Sequence, residues 1–439
     1  MRRARRYLRL LTAGKGWALA GRLLARLPGG RPVVTLPALP AEPQARPIRL
    51  FEGGRPVRLL VAGASLRLEG APISQLDLVT ALAADGTFHP VVAAVEGGGL
   101  EREYRVRGIP VRTGLPGLSG IYDQGDFTRA AQDIAALLAA ERIDLVLAVT
   151  ALTAPTVEAA RLAGIPAVWN LREGLPPHQA FRPFGPAVAA RSLASMRHAT
   201  VVAFVAEASR AQWEPLDDGR FRTIANTLPP ERVAALQQGD RAALRHSLGV
   251  HPHDLLVLMP GTICARKGQR DLTAAARRLP RDAMARLRFV LVGEAADTGY
   301  ARALSRDLRD LPPGVFRLVP PTLDIAPWYR AADAMVMCSR TESAPRVVLE
   351  ALAAALPIVA TRVAGVPAQL GDSGAALFYS PGDVAALADH LSRIASSPPL
   401  RDELALRARH HFDAVNDFAG MVARYRSLLL AAARGTQPP

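Results

Sequence analysis

Short aliphatic runs alternate with segments of helical period from residue 57 to residue 361, and that alternation leaves few folds open. The runs fall at 57–62, 91–95, 109–112, 145–150, 167–171 and 201–205, then at 255–260, 289–292, 316–319, 334–338 and 357–361. Helical segments such as 129–141 and 154–163 lie between them. Runs this continuously apolar need cover on both faces, as strands of a parallel sheet do. Strands joined through helices pair in parallel and receive ligands at their carboxyl ends. The first unit of the series is a strand at 57–62, a loop at 63–72 that contains Gly70, and a helix over about 73–84 with Leu76, Val79 and Ala83 on one face. Asn170-Leu171-Arg172-Glu173-Gly174 sits at the carboxyl end of another strand.

The stretch 339–361 concentrates the chemistry. It reads as loop, helix and buried strand: Ser343 offers an N-cap, Pro345 suits a first helical turn, and Pro357 stops the helix before Ile358-Val359-Ala360-Thr361. Arg346 stands in the first turn, where the helix dipole of roughly half a positive charge disfavours a cation, and a bound phosphate would reverse that penalty. Glu342 and Glu350 carried on one helix would be separated by about 12 Å of rise and about 80° of rotation. Carboxylates so placed cannot share one proton or one metal, but they suit opposite ends of one elongated ligand. A nucleotide diphosphate-sugar fits, with phosphates at the helix start around Ser343, Ala344, Pro345 and Arg346, one Glu near the sugar and the other on the ribose. The bland alternative makes both acids surface residues. Against it, Val347, Val348, Leu349, Leu352 and Leu356 leave little polar face, so the few charges of this helix need partners.

On these residues, together with Ala360-Thr361-Arg362-Val363-Ala364-Gly365, the chain resembles the retaining glycosyltransferases of family 4 from about 57 to 426, most strongly over 255–380. The resemblance implies the α/β fold called GT-B: two facing Rossmann-like doubly wound domains with an interdomain cleft. It divides the chain into a basic segment and linker at 1–54, an acceptor-side domain at 55–228, and a nucleotide-sugar domain at 229–407. A C-terminal helix of about 408–434 is expected to pack back on the first domain. In this family the loop that opens the second domain offers an Arg after its first Gly and a Lys before its second. Lys267 matches, Thr262 stands where the Arg is usual, and Arg266 is the candidate to supply that charge. Fixed cations there act on a departing nucleoside diphosphate, whose charge grows in the transition state. The resemblance thus implies Lys267 and Glu342 as catalytic, with Gly70, Arg266, Glu294, Ser343, Ala344, Pro345, Arg346 and Glu350 on the donor. Arg172 and Glu173 fall on the acceptor or sugar side, where many members carry a His. An Arg cannot act as a base but holds a phosphate or carboxylate, so either the specificity or the activity departs from the usual. With no Asp-x-Asp element, neither a metal nor a cofactor is expected. Retention is expected through same-face attack assisted by the leaving phosphate.

A net charge of +15 favours an anionic partner, and the arginines are scattered rather than striped, so nucleic acid is excluded. Lys267 stands out further because Lys15 is the chain's other lysine. Cys264 and Cys338 make no disulfide framework and have no metal-ligand spacing, which points to a reducing cytosol. Lys15, Arg22 and Arg26 interrupt the apolar start of the chain, so no spanning helix or clean signal peptide is expected. Residues 1–28 read as an amphipathic helix on the anionic inner face of the plasma membrane, or equally as a helix packed on the domain or a frayed tail. The function that follows is transfer of a sugar from a nucleotide donor to a glycan or lipid-linked acceptor in cell-envelope or polysaccharide biosynthesis. Two alternatives are a catalytically silent protein of the same fold and an oxidoreductase. The latter lacks a Gly-x-Gly-x-x-Gly after any strand.

Overall fold

Runs that need cover on both faces become strands of two parallel sheets in the computed structural model, which describes residues 46–436. The chain divides into two compact units, one holding 46–226 with 419–436 and the other 227–418. The first unit contains β1 (Val57–Ser65), β2 (Phe88–Glu96), β3 (Val111–Thr113), β4 (Leu145–Val149), β5 (Ala167–Leu171), β6 (Val201–Phe204) and β7 (Phe221–Thr223). Their order is β3-β2-β1-β4-β5-β6-β7, with Val61 of β1 facing Val92 on one side and Leu147 on the other. Leu59, Leu60 and Val61 are fully buried, each contributing about 2 kcal/mol.

Helices α1 (Gly70–Ala83), α2 (Gln124–Ala140) and α3 (Ala154–Ala163) connect these strands. The Asp123 carboxylate caps α2 by accepting the Asp126 N–H, and Phe127, Ala131, Ile134 and Leu138 recur at helical spacing on its buried face. Trp169 is core, its indole N–H donating to the Thr150 carbonyl at 2.8 Å. Two features depart from expectation. Helix α1 starts at Gly70 itself, because the Ile73 N–H already bonds the Glu69 carbonyl at 3.0 Å. Gly70 is therefore a helical residue and not a loop residue, and Pro72 is tolerated in a first turn that needs no donor from it. Strand β7, a three-residue edge, was not anticipated either.

The second unit contains β8 (Leu255–Pro260), β9 (Leu287–Val292), β10 (Phe316–Val319), β11 (Ala334–Met337), β12 (Ile358–Thr361) and β13 (Ala376–Tyr379), in the order β10-β9-β8-β11-β12-β13. The helices used below are α4 (Pro230–Gln237), α5 (Gln269–Ala276), α6 (Thr298–Arg309), α7 (Arg346–Ala353), α8 (Val384–Ser396), α9 (Pro398–Val415) and α10 (Phe418–Arg434). Asp333 is structural: its carboxylate accepts the Leu256 N–H at 2.7 Å and pairs with Arg241 and Arg245. The helix expected over 408–434 is two helices. Asn416 breaks it, because its side chain accepts the Leu228 N–H at 2.7 Å and donates to the Leu228 carbonyl at 3.0 Å. Beyond the break α10 joins the first unit, where the Asn170 amide donates to the Tyr425 hydroxyl at 2.9 Å.

Each sheet runs outward in both directions from its first strand, so the order reverses between β1 and β4 and between β8 and β11. Connections diverge at such a point and leave a crevice at the strands' carboxyl ends. Among the described residues no helix is long and apolar enough to cross a membrane. The amphipathic segment expected at 1–28 lies outside the described residues.

Candidate functional site

In the second unit the reversal lies between the loops that leave β8 and β11, and those loops are tied to each other. The chain leaves β8 through Gly261, at φ +138°, and a Cβ there would lie 3.5 Å from the Lys267 Cε. Lys267 therefore runs along a surface that the missing side chain leaves open. Gly268 is in the left-handed region at φ +71°, and a Cβ on it would overlap the Cys338 carbonyl oxygen. That contact fixes the start of α5 against the end of β11. Gln269, almost fully buried, holds the loop from within by accepting the Cys264 N–H at 3.4 Å and donating to the Thr262 carbonyl at 2.9 Å.

The loop after β11 is pinned just as firmly. The Arg340 N–H donates to the Arg266 carbonyl at 2.7 Å, and the Arg340 guanidinium pairs with Asp271 of α5 at 2.6 Å. The Thr361 hydroxyl holds the Ser339 carbonyl at 2.7 Å, and the Gly365 N–H reaches the Glu342 carbonyl at 3.3 Å. With both loops fixed, the Glu342 Oε1 receives the Lys267 Nζ at 2.6 Å and the Arg266 Nη1 at 3.1 Å. Burial pushes the Glu342 carboxyl up, but the Lys267 and Arg266 charges and the lysine hydrogen bond outweigh it and hold the pKa at about 2. Arg266 thus brings its charge to the same oxygen as Lys267, although Thr262 occupies the position after the first glycine.

Glu350 belongs to a separate arrangement. Helix α7 begins at Arg346 with Pro345 as its N-cap in extended geometry, and no side chain caps it, so Ser343 is not the cap that the sequence suggests. Glu342 consequently lies in the loop before α7, and the rise reckoned along a helix carrying both acids does not apply. The Arg346 Nε donates to the Glu350 Oε1 at 3.0 Å, and Arg232 of α4 donates to the same oxygen through Nε at 3.0 Å and Nη2 at 2.8 Å. Burial raises the Glu350 carboxyl, and the Arg232 and Arg346 charges overcome this to leave it below its ordinary value. The cation in the first turn, for which the sequence reading required a phosphate, has Glu350 one turn further along as its counter-charge.

Glu294 follows β9, its carbonyl accepting the Ile263 N–H at 2.8 Å, so its backbone adjoins the Lys267 loop while its side chain is exposed. The structure thus brings Lys267, Arg266 and Glu342 into direct contact, sets Glu294 beside them, and pairs Arg346 with Glu350. Ser343 and Pro345 are buried in the β11 loop with Ala344 half-buried, and the Gln369 side chain donates to the Pro345 carbonyl at 3.2 Å.

Gly70, Arg172 and Glu173 belong to the first unit. There the Glu173 carboxylate accepts the Ala151 N–H at 2.6 Å and the Arg172 N–H at 2.8 Å, and burial, outweighing those bonds, raises its pKa. The Arg172 Nη2 donates to the Asn226 Oδ1 at 2.7 Å. These groups gather at the carboxyl ends of β4 and β5, where Thr150 is a non-glycine residue at φ +73°. Such strain is typical of sites where function constrains the backbone. Sequence reasoning missed Arg232, Gln269 and Arg340. Gln269 directly follows the glycine loop and was legible as its anchor, whereas the partners of Arg232 and Arg340 are distant in sequence.

Residues 254–397 match the family model described as glycosyl transferases group 1, and 69–227 match that of a glycosyl transferase 4-like domain. A D-inositol 3-phosphate glycosyltransferase of Saccharomonospora viridis is 34% identical over 198 residues, 43% of this chain and 45% of that protein. Its counterpart from Actinosynnema mirum is 36% identical over 181 residues, 39% of this chain and 43% of that protein. The chain therefore spans less than half the length of these curated relatives. Among solved structures, Anabaena Alr3699/HepE in complex with UDP-glucose superposes with a TM-score of 0.71 at 20% identity, over 85% of this chain and all of that one. WaaG, a glycosyltransferase involved in lipopolysaccharide biosynthesis, gives 0.67 at 18% identity, over 84% and 99% of the two chains. At these identities the likeness is one of fold.

Proposed function

This chain belongs to the family 4 glycosyltransferases with the GT-B fold, and on that premise we propose that it moves a sugar from a nucleoside diphosphate donor to a glycan or lipid-linked acceptor with retention of configuration. The observation that carries the reading is the convergence of Lys267 and Arg266 on one point at the β8/β11 reversal. A ligand bearing two or more negative charges is what such a pair can hold in a partly buried crevice. As the sugar–phosphate bond breaks, charge accumulates on the leaving diphosphate, and two cations already fixed by Gly268, Gln269 and Arg340 stabilise it without reorganising. Charge supplied this way needs no divalent ion, so transfer should persist in excess chelator. In this reading Glu342, which meets Lys267 and Arg266 in the structure, turns to the donor sugar once a diphosphate takes those cations, and Glu350 lies within the helix that follows.

Solved neighbours carry UDP or UDP-glucose by their descriptions, which makes uridine donors the first to try. Relatives named for inositol 3-phosphate, together with Arg172 in place of a histidine, favour an acceptor that bears a phosphate. We further propose that the reaction serves envelope or polysaccharide assembly at the inner face of the plasma membrane. Liposome flotation of the full chain and of a chain lacking 1–28 tests the membrane contact, and equal flotation removes it.

The decisive assay offers uridine, guanosine and adenosine diphosphate sugars with phosphorylated and lipid-linked acceptors, beside Lys267→Ala, and reads the anomeric configuration of the product. Donor binding without turnover for every combination would favour the silent protein, for which Thr262 speaks. Arg266 at 3.1 Å from Glu342 speaks against it, since the charge missing at Thr262 is present four residues further along the same loop.

A further inference from the structure

We propose that Glu342 is a resident counter-ion of the anion subsite: without donor its carboxylate occupies the place of a phosphate oxygen on Lys267 and Arg266, the donor diphosphate displaces it, and its return helps to expel the product diphosphate. The inference rests on the donor reading above and deepens it by assigning Glu342 a second role, in the exchange of ligands.

Three observations lead to it. First, both cations address the same oxygen, Oε1, at 2.6 and 3.1 Å, so the carboxylate sits where the two positive charges overlap. Second, the backbones on either side are immobilised. Gly268 abuts the Cys338 carbonyl, the Arg340 N–H holds the Arg266 carbonyl, and the Gly365 N–H holds the Glu342 carbonyl. What can move is the Glu342 side chain, by rotation about its own bonds. Third, the lysine is only 14% exposed in its side chain and the glutamate 10%, so an unpaired charge on either would be costly. A site built to bind a dianion must hold its cations in this environment before the ligand arrives, and an internal carboxylate does so. Once a diphosphate is bound, a third anion on the same oxygen position would be repelled by it.

A contrary arrangement is chemically reasonable. An ammonium has three donors, so Lys267 could bind Glu342 and a phosphate together, with Glu342 steering the lysine toward the ligand. The two arrangements predict opposite signs for removal of the carboxylate charge, which makes them separable.

The test titrates inorganic pyrophosphate calorimetrically into the full chain as wild type, Glu342→Gln, Glu342→Asp, and Glu342→Gln combined with Lys267→Met. If the carboxylate competes, Glu342→Gln binds pyrophosphate about tenfold more tightly, as expected for loss of one charged hydrogen-bonding competitor. Glu342→Asp, whose shorter side chain withdraws from the cations, gains less, and the double variant loses the gain. Equal or weaker binding by Glu342→Gln overturns the proposal. So does loss of cooperative unfolding in both single variants, because Glu342 would then be serving the fold. Sugar-nucleotide turnover by the wild type is measured separately. No turnover alongside the tenfold gain retires the donor reading and keeps the counter-ion, whereas turnover without the gain does the reverse.

Discussion

The Arg232 guanidinium meets the Glu350 carboxylate side-on, giving both Nε and Nη2 to a single oxygen at 3.0 and 2.8 Å across 118 residues of sequence. This joins the first helix of the second unit to α7. Replacing Arg232 by Met leaves Glu350 with Arg346 as its remaining arginine and should cost about 2 kcal/mol, since a buried carboxylate loses half its compensation. Urea unfolding of Arg232→Met beside Arg232→Lys measures it, and a wild-type midpoint for the Met variant would contradict the account.

Removing the lysine acts on chemistry more than on folding. Lys267→Ala should lower the transfer rate by about a hundredfold or more, the scale seen when one preorganised group facing developing charge is deleted. Donor binding should weaken as well. Arg266→Ala should show the same pattern to a smaller degree, because its side chain is 46% exposed against 14% for Lys267. Steady-state rates for both variants decide the order.

Acid should uncover the Glu342 ion pair. Its carboxyl is held at about 2 when folded, below its ordinary value of 4.5. A depressed carboxyl stabilises the fold above its unfolded pKa and loses that contribution as pH falls through the folded value. Stability should therefore decline by roughly 3 kcal/mol from this group as pH drops from about 5 to about 2. Glu342→Gln should flatten the acid limb of the stability curve without abolishing it, because Glu350 is shifted in the same direction.

Gly268→Ala tests the junction of the two loops. The new methyl would meet the Cys338 carbonyl in a left-handed backbone conformation, which should destabilise the second unit by about 2 kcal/mol or more. Because α5 would shift with Lys267, transfer should fall further than stability alone explains. A variant with wild-type melting and wild-type rate would refute the close approach.

What could be read beforehand follows from where each residue's partners lie. Strands at 167–171, 255–260 and 316–319 were legible to the residue from their apolar runs. Phe221–Thr223 was not, because it is a three-residue edge strand with Arg222 at its centre; Ala376–Tyr379 was missed although its run is as apolar as that of the edge strand at 316–319. Family resemblance pointed to Lys267 and Glu342 separately, but the bond between them spans 75 residues and follows from the order β8-β11. Arg346 and Glu350 stood at i and i+4 in plain sight, yet the dipole argument assigned the arginine to a ligand. The neutralising charge came from the chain itself. Ser343 lost its capping role because Pro345, at φ −66° and ψ 124°, already gives the extended entrance that an N-cap requires.

The grip of Asn416 on Leu228 means that residues 227–418 start and finish at one spot. A segment whose ends touch can be lifted out, grafted into a loop of another protein, or rejoined head to tail with new ends opened elsewhere, because its own fold already closes the circle. The second unit is in that sense a cassette with its own clasp.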